Sequence, residues 1–198
     1  MDNESKALKI SKKQQQLIAA AQVLFCKHGI RRVTIDEICR QAAVSKMTFY
    51  KYYRDKMEMA RAVLEHIFNQ SIRQFHAVTG ENILFSQKFE KLLVMITGQI
   101  HSVGSAFLED IMAPSCPLRD HFFEMQKKTR QMTIDFFRAA QEAGEISPEV
   151  KIPFLLFMLD RVSELLNHPE LAAMIPDMAD RASALTAQLF HGFSKTQR

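Results

Sequence analysis

Residues 33–56 read VTIDEICRQAAVSKMTFYKYYRDK, and this stretch encodes three separate helix starts. Thr34 with Glu37 forms a capping box, in which the hydroxyl accepts from the Glu37 N–H and the carboxylate reaches back to the Thr34 N–H. It predicts a helix over 35–42. Ser45 caps a second helix over 46–52, with Val44 and Phe49 at the two positions of a hydrophobic staple that fixes the angle of entry. Asp55 with Glu58 repeats the capping logic and opens a longer apolar-periodic helix over 56–78. Two short helices joined by a tight turn, even with the helix that precedes them, bury too little apolar surface to stand alone, so the rest of the chain must support them. The second concentrates Lys, Thr and Tyr side chains suited to phosphates and base edges. The arrangement reads as a helix-turn-helix.

The surrounding sequence is helical wherever it is periodic. Residues 1–10 form a basic arm. Ser11 with Gln14 caps a first helix over 11–28 that carries Leu17, Ile18, Ala21, Leu24 and Phe25 at helical spacing and stops at Gly29. After the helix over 56–78, Ser86 opens another that runs to about Gly104. A short helix follows around Phe107 and Ile111, closed by Pro114 and Pro117. Residues 117–143 form a long amphipathic helix with Leu118, Phe122, Met125, Thr129, Met132, Phe136 and Ala139 on one stripe. Ser147-Pro148-Glu149 reads as an N-cap with Pro in the first turn, and Pro153 predicts a kink or a restart of that helix. A last helix spans 176–191. No alternation of period two appears, so the chain is all-α. Its organisation is an N-terminal arm and helix-turn-helix head, residues 1–55, followed by a larger helical body, residues 56–198.

Charge divides along the same line. The formal net charge is +4, but residues 1–56 hold twelve Lys and Arg against five Asp and Glu, while the remainder holds fourteen against seventeen. A basic head on a slightly acidic body predicts that the head alone meets a polyanion. The three cysteines, Cys26, Cys39 and Cys116, have no metal-ligand spacing and read as buried free thiols in a reducing compartment. The N-terminus carries no apolar leader, and no apolar run approaches the roughly 18 residues that cross a bilayer, which predicts a cytoplasmic protein with no membrane partner.

Within the body, two features bear on function. Fifteen Phe and eleven Met with no Trp describe an adaptable, polarizable interior. Phe68, Phe75, Phe89, Met95, Ile96, His101, Phe107, Met132, Phe136 and Met158 are candidates to line a pocket for a lipophilic or aromatic ligand, and plain core packing is the alternative for each taken singly. Residues 152–159 are apolar at every position, so this helix must be covered on nearly all sides. The last helix is rich in small residues that permit close helix approach. Phe154, Phe157, Arg161, Leu165, Met178, Ala182, Leu185 and Leu189 are therefore candidates for a homodimer interface built as a four-helix bundle, against the alternative of interior helices in a monomer. His101, His121 and His168 lack the paired spacing of metal ligands on a helix, so no metal and no cofactor is expected. No nucleophile motif, phosphate loop or paired acid and base suggests an enzyme.

The head resembles the TetR family of bacterial transcription regulators in its motif over residues 11–58, and the all-helical body matches that family in helix count and layout. The resemblance implies an all-α homodimer whose paired heads bind a palindromic DNA operator and whose body holds a small-molecule effector. Carried over by position, Thr34 at the start of the second helix would meet a phosphate. Ser45, Lys46, Met47 and Thr48 head the recognition helix, where side chains reach base edges. Tyr50, Lys51, Tyr52 and Lys56 would contact the backbone. Phe49 and Tyr53 fall at core positions. Two residues depart from the family pattern. Ala43 stands where Gly precedes the Val of the turn, so the turn is expected to form without easy access to positive φ. Met47 stands where a small residue is common, which predicts apolar contact to a thymine methyl and a different sequence preference.

The function these features imply is a ligand-responsive transcription regulator, most naturally a repressor released by its effector. An adaptor that keeps the head's fold but binds a protein or membrane surface, and a helical-bundle enzyme using His101 or His121, are the alternatives from other classes.

Overall fold

The computed structural model describes residues 11–102, 104–166, 168–177 and 180–185, with the side chains of 96–102, 162 and 163 excluded. These residues form α1 (Lys12–Arg32), α2 (Ile35–Gln41), α3 (Lys46–Tyr52), α4 (Lys56–Thr79), α5 (Phe85–Ser102), α6 (Ser105–Met112), α7 (Arg119–Glu142), α8 (Ile152–Leu166) and α9 (Pro169–Met174), and residues 180–185 are also helical. No strand occurs among the described residues. The basic arm over 1–10, the end of the helix expected to reach 191, and Met178 and Leu189 lie outside them.

The fold comprises two compact units. The first gathers the described residues up to 69 and those of 104–122, and the second gathers 70–102 and those from 123 onward. One helix, α4, thus contributes its first half to one unit and its last turns to the other. The expected division at residues 55 and 56 marks where α4 begins, whereas packing places Met59, Ala60, Val63, Leu64 and Ile67 of α4 in the buried set of the first unit.

In the first unit, α1 contributes Leu17, Ile18, Ala21 and Phe25 to the interior. Phe25 stacks on Phe107 of α6 with ring centroids 5.7 Å apart. Each ring removed from water stabilises the unit by about 2–3 kcal/mol, and such a pair adds about 1 kcal/mol more. The two helices touch almost backbone to backbone at Gly104, whose φ is +67°. A Cβ there would stand 2.2 Å from the Cys26 carbonyl oxygen. Asp110 of α6 then grips the end of α1: its Oδ2 accepts from the Arg31 N–H at 2.9 Å and its Oδ1 meets the Arg31 Nε at 2.9 Å. Lys56 donates to the carbonyls of Arg31 and Val33, at 3.2 and 2.7 Å, so the start of α4 caps the same turn from another direction. Burial pushes the thiols of Cys26 and Cys39 up, and none of Cys26, Cys39 and Cys116 is joined in a disulfide.

The second unit has its core where α5, the end of α7 and α8 meet, with Phe85, Phe89, Leu93, Phe137, Ala140, Leu155, Leu156, Leu159, Leu166 and Ala182 buried. Arg181 is buried here and donates to the carbonyls of Leu166, Ile175 and Pro176, collecting the ends of α8 and α9.

Several boundaries differ from the sequence reading, each for a local reason. α1 breaks at Gly29 as expected (φ 78°, ψ 165°), but a further turn continues to Arg32 because Asp110 and Lys56 satisfy its backbone groups. α5 begins at Phe85 rather than Ser86, with the Gln87 side chain accepting from the Leu84 N–H. Ser147-Pro148 forms a turn, closed by the Val150 N–H onto the Ser147 carbonyl, and caps no helix. Pro153 instead marks a restart: α8 begins at Ile152, so the proline sits in the first turn, where its missing N–H costs nothing. Along α7, Phe137 and Ala140 are buried while Ala139 is exposed and Phe136 half-buried. A stripe spaced by alternating threes and fours drifts about 20° per heptad around a straight helix, and by this point it has left the buried face. α9 carries no buried residue, and six residues are too few for a helical apolar period to show in the sequence.

Candidate nucleic-acid interface

The helix-turn-helix is assembled by the caps read from the sequence. Thr34 Oγ1 accepts from the Glu37 N–H at 3.2 Å, and Glu37 Oε2 accepts from both the N–H and the hydroxyl of Thr34 at 2.8 Å. These bonds hold the Glu37 carboxyl below its ordinary range. At the start of α3, Ser45 Oγ accepts from the Thr48 N–H at 3.2 Å and pairs with the Thr48 hydroxyl at 3.0 Å. At the start of α4, Asp55 accepts from the Glu58 N–H at 2.8 Å, which holds the Asp55 carboxyl low.

The turn between α2 and α3 overturns the expectation for Ala43. Its φ is +52°, so the turn does enter the left-handed region, without glycine. The Val44 N–H donates to the Cys39 carbonyl at 3.0 Å and the Ala43 N–H to the Arg40 carbonyl at 3.2 Å. This is the Schellman pair of bonds that ends a helix, and it requires a left-handed residue at the position Ala43 holds. The end of α7 makes the same pair of bonds with Gly144 at that position.

Phe49 is fully buried and Tyr53 nearly so, anchoring α3 in the first unit. Burial raises the Tyr53 phenol. With that face fixed inward, Lys46, Met47, Tyr50 and Lys51 are exposed, and Met47 is 85% accessible. Thr34 and Ser45 are also exposed, while Thr48, Tyr52 and Lys56 are half-buried. All nine candidate contact residues thus belong to one unit, from the start of α2 to the start of α4.

Several of these groups already have partners. Lys46 Nζ lies 2.6 Å from the Asp36 carboxylate, tying the start of α3 to α2. The Thr34 hydroxyl proton is spent on Glu37, and two of the donors of Lys56 are spent on α1 carbonyls. Tyr52 accepts a hydrogen bond from Ser11 at 2.8 Å, while Lys51 Nζ stands 5.9 Å from the Tyr52 ring centroid. Lys56 therefore has a structural role at the end of α1 that its position in the sequence does not disclose.

The pocket candidates divide between the units. Phe75 and Phe136 meet edge to face at 5.8 Å, and Phe136 and Phe89 each pack on Phe137, at 5.4 and 6.1 Å. Phe85, not among the candidates, stacks on Phe136 at 5.4 Å and completes a five-ring cluster in the second unit. Met95, Met132 and Met158 are half-buried there. Phe107 and Phe68 belong to the first unit instead, packed on Phe25 and Phe122. The side chains of Ile96 and His101 lie outside the described residues.

Of the dimer candidates, Phe154, Phe157, Arg161 and Leu165 share one exposed face of α8, opposite Leu155, Leu156, Leu159 and Leu166. The Arg161 guanidinium lies 5.7 Å from the Phe157 ring centroid. Leu185 is half-buried. Ala182 has no exposed surface and packs inside its own unit, so a second chain has none of it to cover.

Residues 17–63 match the family model described as bacterial regulatory proteins, tetR family. The chain is 23% identical over 122 residues to a probable HTH-type transcriptional regulator, ArpR, of Pseudomonas putida, covering 61% of this chain and 58% of that protein. It is 22% identical over 122 residues to the HTH-type transcriptional regulator TtgR, also of Pseudomonas putida, with the same coverage. The match thus spans little more than half the length of these relatives. Its fold is shared with the transcriptional regulator FadR from Bacillus subtilis, solved in complex with stearoyl-CoA, at a TM-score of 0.70 and 16% identity over 90% of this chain and 98% of that one.

Proposed function

We propose, from the premise that this chain belongs to the TetR family of bacterial regulatory proteins, that it is a ligand-responsive transcriptional regulator that represses by binding a palindromic operator as a homodimer. The observation that carries the reading is the outward face of α3. Lys46, Met47, Tyr50 and Lys51 are exposed together on a helix whose inner face is locked by Phe49, in the basic part of the chain. That exposure supports a recognition helix that would offer base contacts at its start and backbone contacts at its end. A second copy would supply the other half-site, and the exposed α8 face of Phe154, Phe157, Arg161 and Leu165 supports a pairing surface. The regulator would work in the cytoplasm. No described helix is long and apolar enough to cross a membrane.

The effector this reading favours is apolar. The five-phenylalanine cluster of the second unit offers soft aromatic surface, and FadR from Bacillus subtilis was solved with stearoyl-CoA, which makes a long-chain acyl-CoA the first probe to try. Such a ligand would release DNA by favouring a conformer whose heads no longer match successive major grooves.

The test is selection of a bound duplex from a random pool, followed by titration of that duplex at several salt concentrations. A dimer neutralising roughly six to ten phosphates loses about 10³–10⁵ in affinity between 50 and 200 mM salt. Failure to enrich any duplex, or an affinity indifferent to salt, rejects the reading.

A further inference from the structure

The capping residue of α1 and the last residue of α3 are joined by a hydrogen bond that spans 41 positions of sequence. Ser11 Oγ accepts from the Gln14 N–H at 3.2 Å, as an N-cap does, and donates its own proton to Tyr52 Oη at 2.8 Å. A phenol has one proton and can also accept. With Ser11 donating into the Tyr52 oxygen, the Tyr52 proton has to point away from Ser11. Accepting a bond also polarises the phenol and makes it a stronger donor. A phosphate diester only accepts, so a tyrosine contacting it must arrive with its proton outward. Lys51, whose ammonium lies 5.9 Å from the Tyr52 ring centroid, adds positive potential beside it.

We propose that Ser11 is a positioning residue for DNA binding: it orders a one-directional chain, from Ser11 through Tyr52 to a backbone phosphate, and so couples the start of α1 to the grip of α3. The inference rests on the reading that Tyr52 meets a phosphate. Sequence alone assigns Ser11 only the cap, because nothing local points to a partner 41 residues away.

The test is a double-mutant cycle, read as affinity of the full chain for the duplex selected by the unmodified protein, with thermal melting of each variant alongside. Tyr52→Phe removes the donor and is expected to weaken binding about tenfold. Ser11→Gly removes the hydroxyl, while glycine remains a tolerated N-cap, and is expected to cost about threefold to fivefold. Ser11→Thr keeps both functions and is expected to bind as the unmodified protein does. The double variant Ser11→Gly with Tyr52→Phe is expected to bind no more weakly than Tyr52→Phe alone. Ser11→Asp provides an independent arm: aspartate caps at least as well but can only accept, so it draws the Tyr52 proton inward, and its penalty should shrink in the Tyr52→Phe background.

A Ser11→Gly penalty that persists undiminished in the Tyr52→Phe background overturns the proposal, as does full affinity in Ser11→Gly. Full affinity in Tyr52→Phe also overturns it, while leaving the regulator reading standing. If the unmodified protein enriches no duplex, the regulator reading fails first and takes this inference with it.

Discussion

Among the described residues, Ala43 is the non-glycine residue whose backbone lies in the left-handed region. A left-handed alanine costs about 1–2 kcal/mol relative to ordinary backbone, part of which the two Schellman bonds offset. Ala43→Gly should therefore raise stability by about 0.5–1 kcal/mol, after the extra unfolded-state entropy of glycine is subtracted, measurable as a higher denaturant midpoint at an unchanged slope. The capping carboxylates make a second prediction at this scale. Glu37 and Asp55 are both held below their ordinary carboxylate values, chiefly by the backbone N–H groups of Thr34 and Glu58 that donate to them. A depressed carboxyl lends stability above its unfolded value and withdraws it as pH falls through the folded one. The unfolding midpoint should drop as pH falls below the ordinary carboxylate range, and that of Glu37→Gln should drop less steeply, as followed by denaturant titration at each pH. Residues of this kind were legible in the sequence because a capping box lies within four positions of itself. The bonds of Arg31 to Asp110 and of Ser11 to Tyr52 were not, since they join residues 79 and 41 positions apart.

At the scale of elements, periodicity and caps located α1 to α7 to within a few residues, and they failed where a boundary depends on tertiary partners. The last turn of α1 persists because α4 and α6 satisfy it, a fact no local pattern contains. α8 reads as apolar through its first half, yet only one of its faces is buried within the chain, with Phe154 and Phe157 left more than half exposed. The pairing of α1 with α6 depends on how closely two backbones approach, which gives a strong prediction. Gly104→Ala would place a Cβ 2.2 Å from the Cys26 carbonyl oxygen and force a left-handed alanine as well. It should destabilise by about 3 kcal/mol or more, because backbone rather than a flexible side-chain end must move, and a thermal melt would show it.

For the molecule as a whole, the sequence disclosed a basic motif-bearing part and a slightly acidic helical remainder, but not the membership of each packed unit. Phe107 illustrates the limit: an aromatic in the middle of the chain reads equally well as pocket lining or core, and only its stacking on Phe25 distinguishes the two. The proposed pairing of chains is tested at this scale. Phe157→Glu places a charge on the exposed face of α8 and should leave the monomer folded while raising the dimer dissociation constant by at least about a hundredfold, as a truncated aromatic anchor commonly costs about 2 kcal/mol or more and a buried unpaired charge costs further. Sedimentation over a concentration series reads this directly, and a dimer unaffected by the change would place the interface elsewhere.

The division of the chain also dictates an order of folding during synthesis. The first unit takes Phe107, Ile111 and Leu118 into its interior, yet they follow the whole of α5, which packs with the second unit. A nascent chain that has emitted α1 to α3 therefore holds a nearly complete recognition motif with Phe25 still lacking its stacking partner. It has to wait for α4 and α5 to be made, and the α5 segment must be set aside before the first unit can close. Until then the fragment should expose apolar surface to chaperones and proteases, so a gene cut short between α4 and α6 should yield a degraded product rather than a small DNA-binding protein.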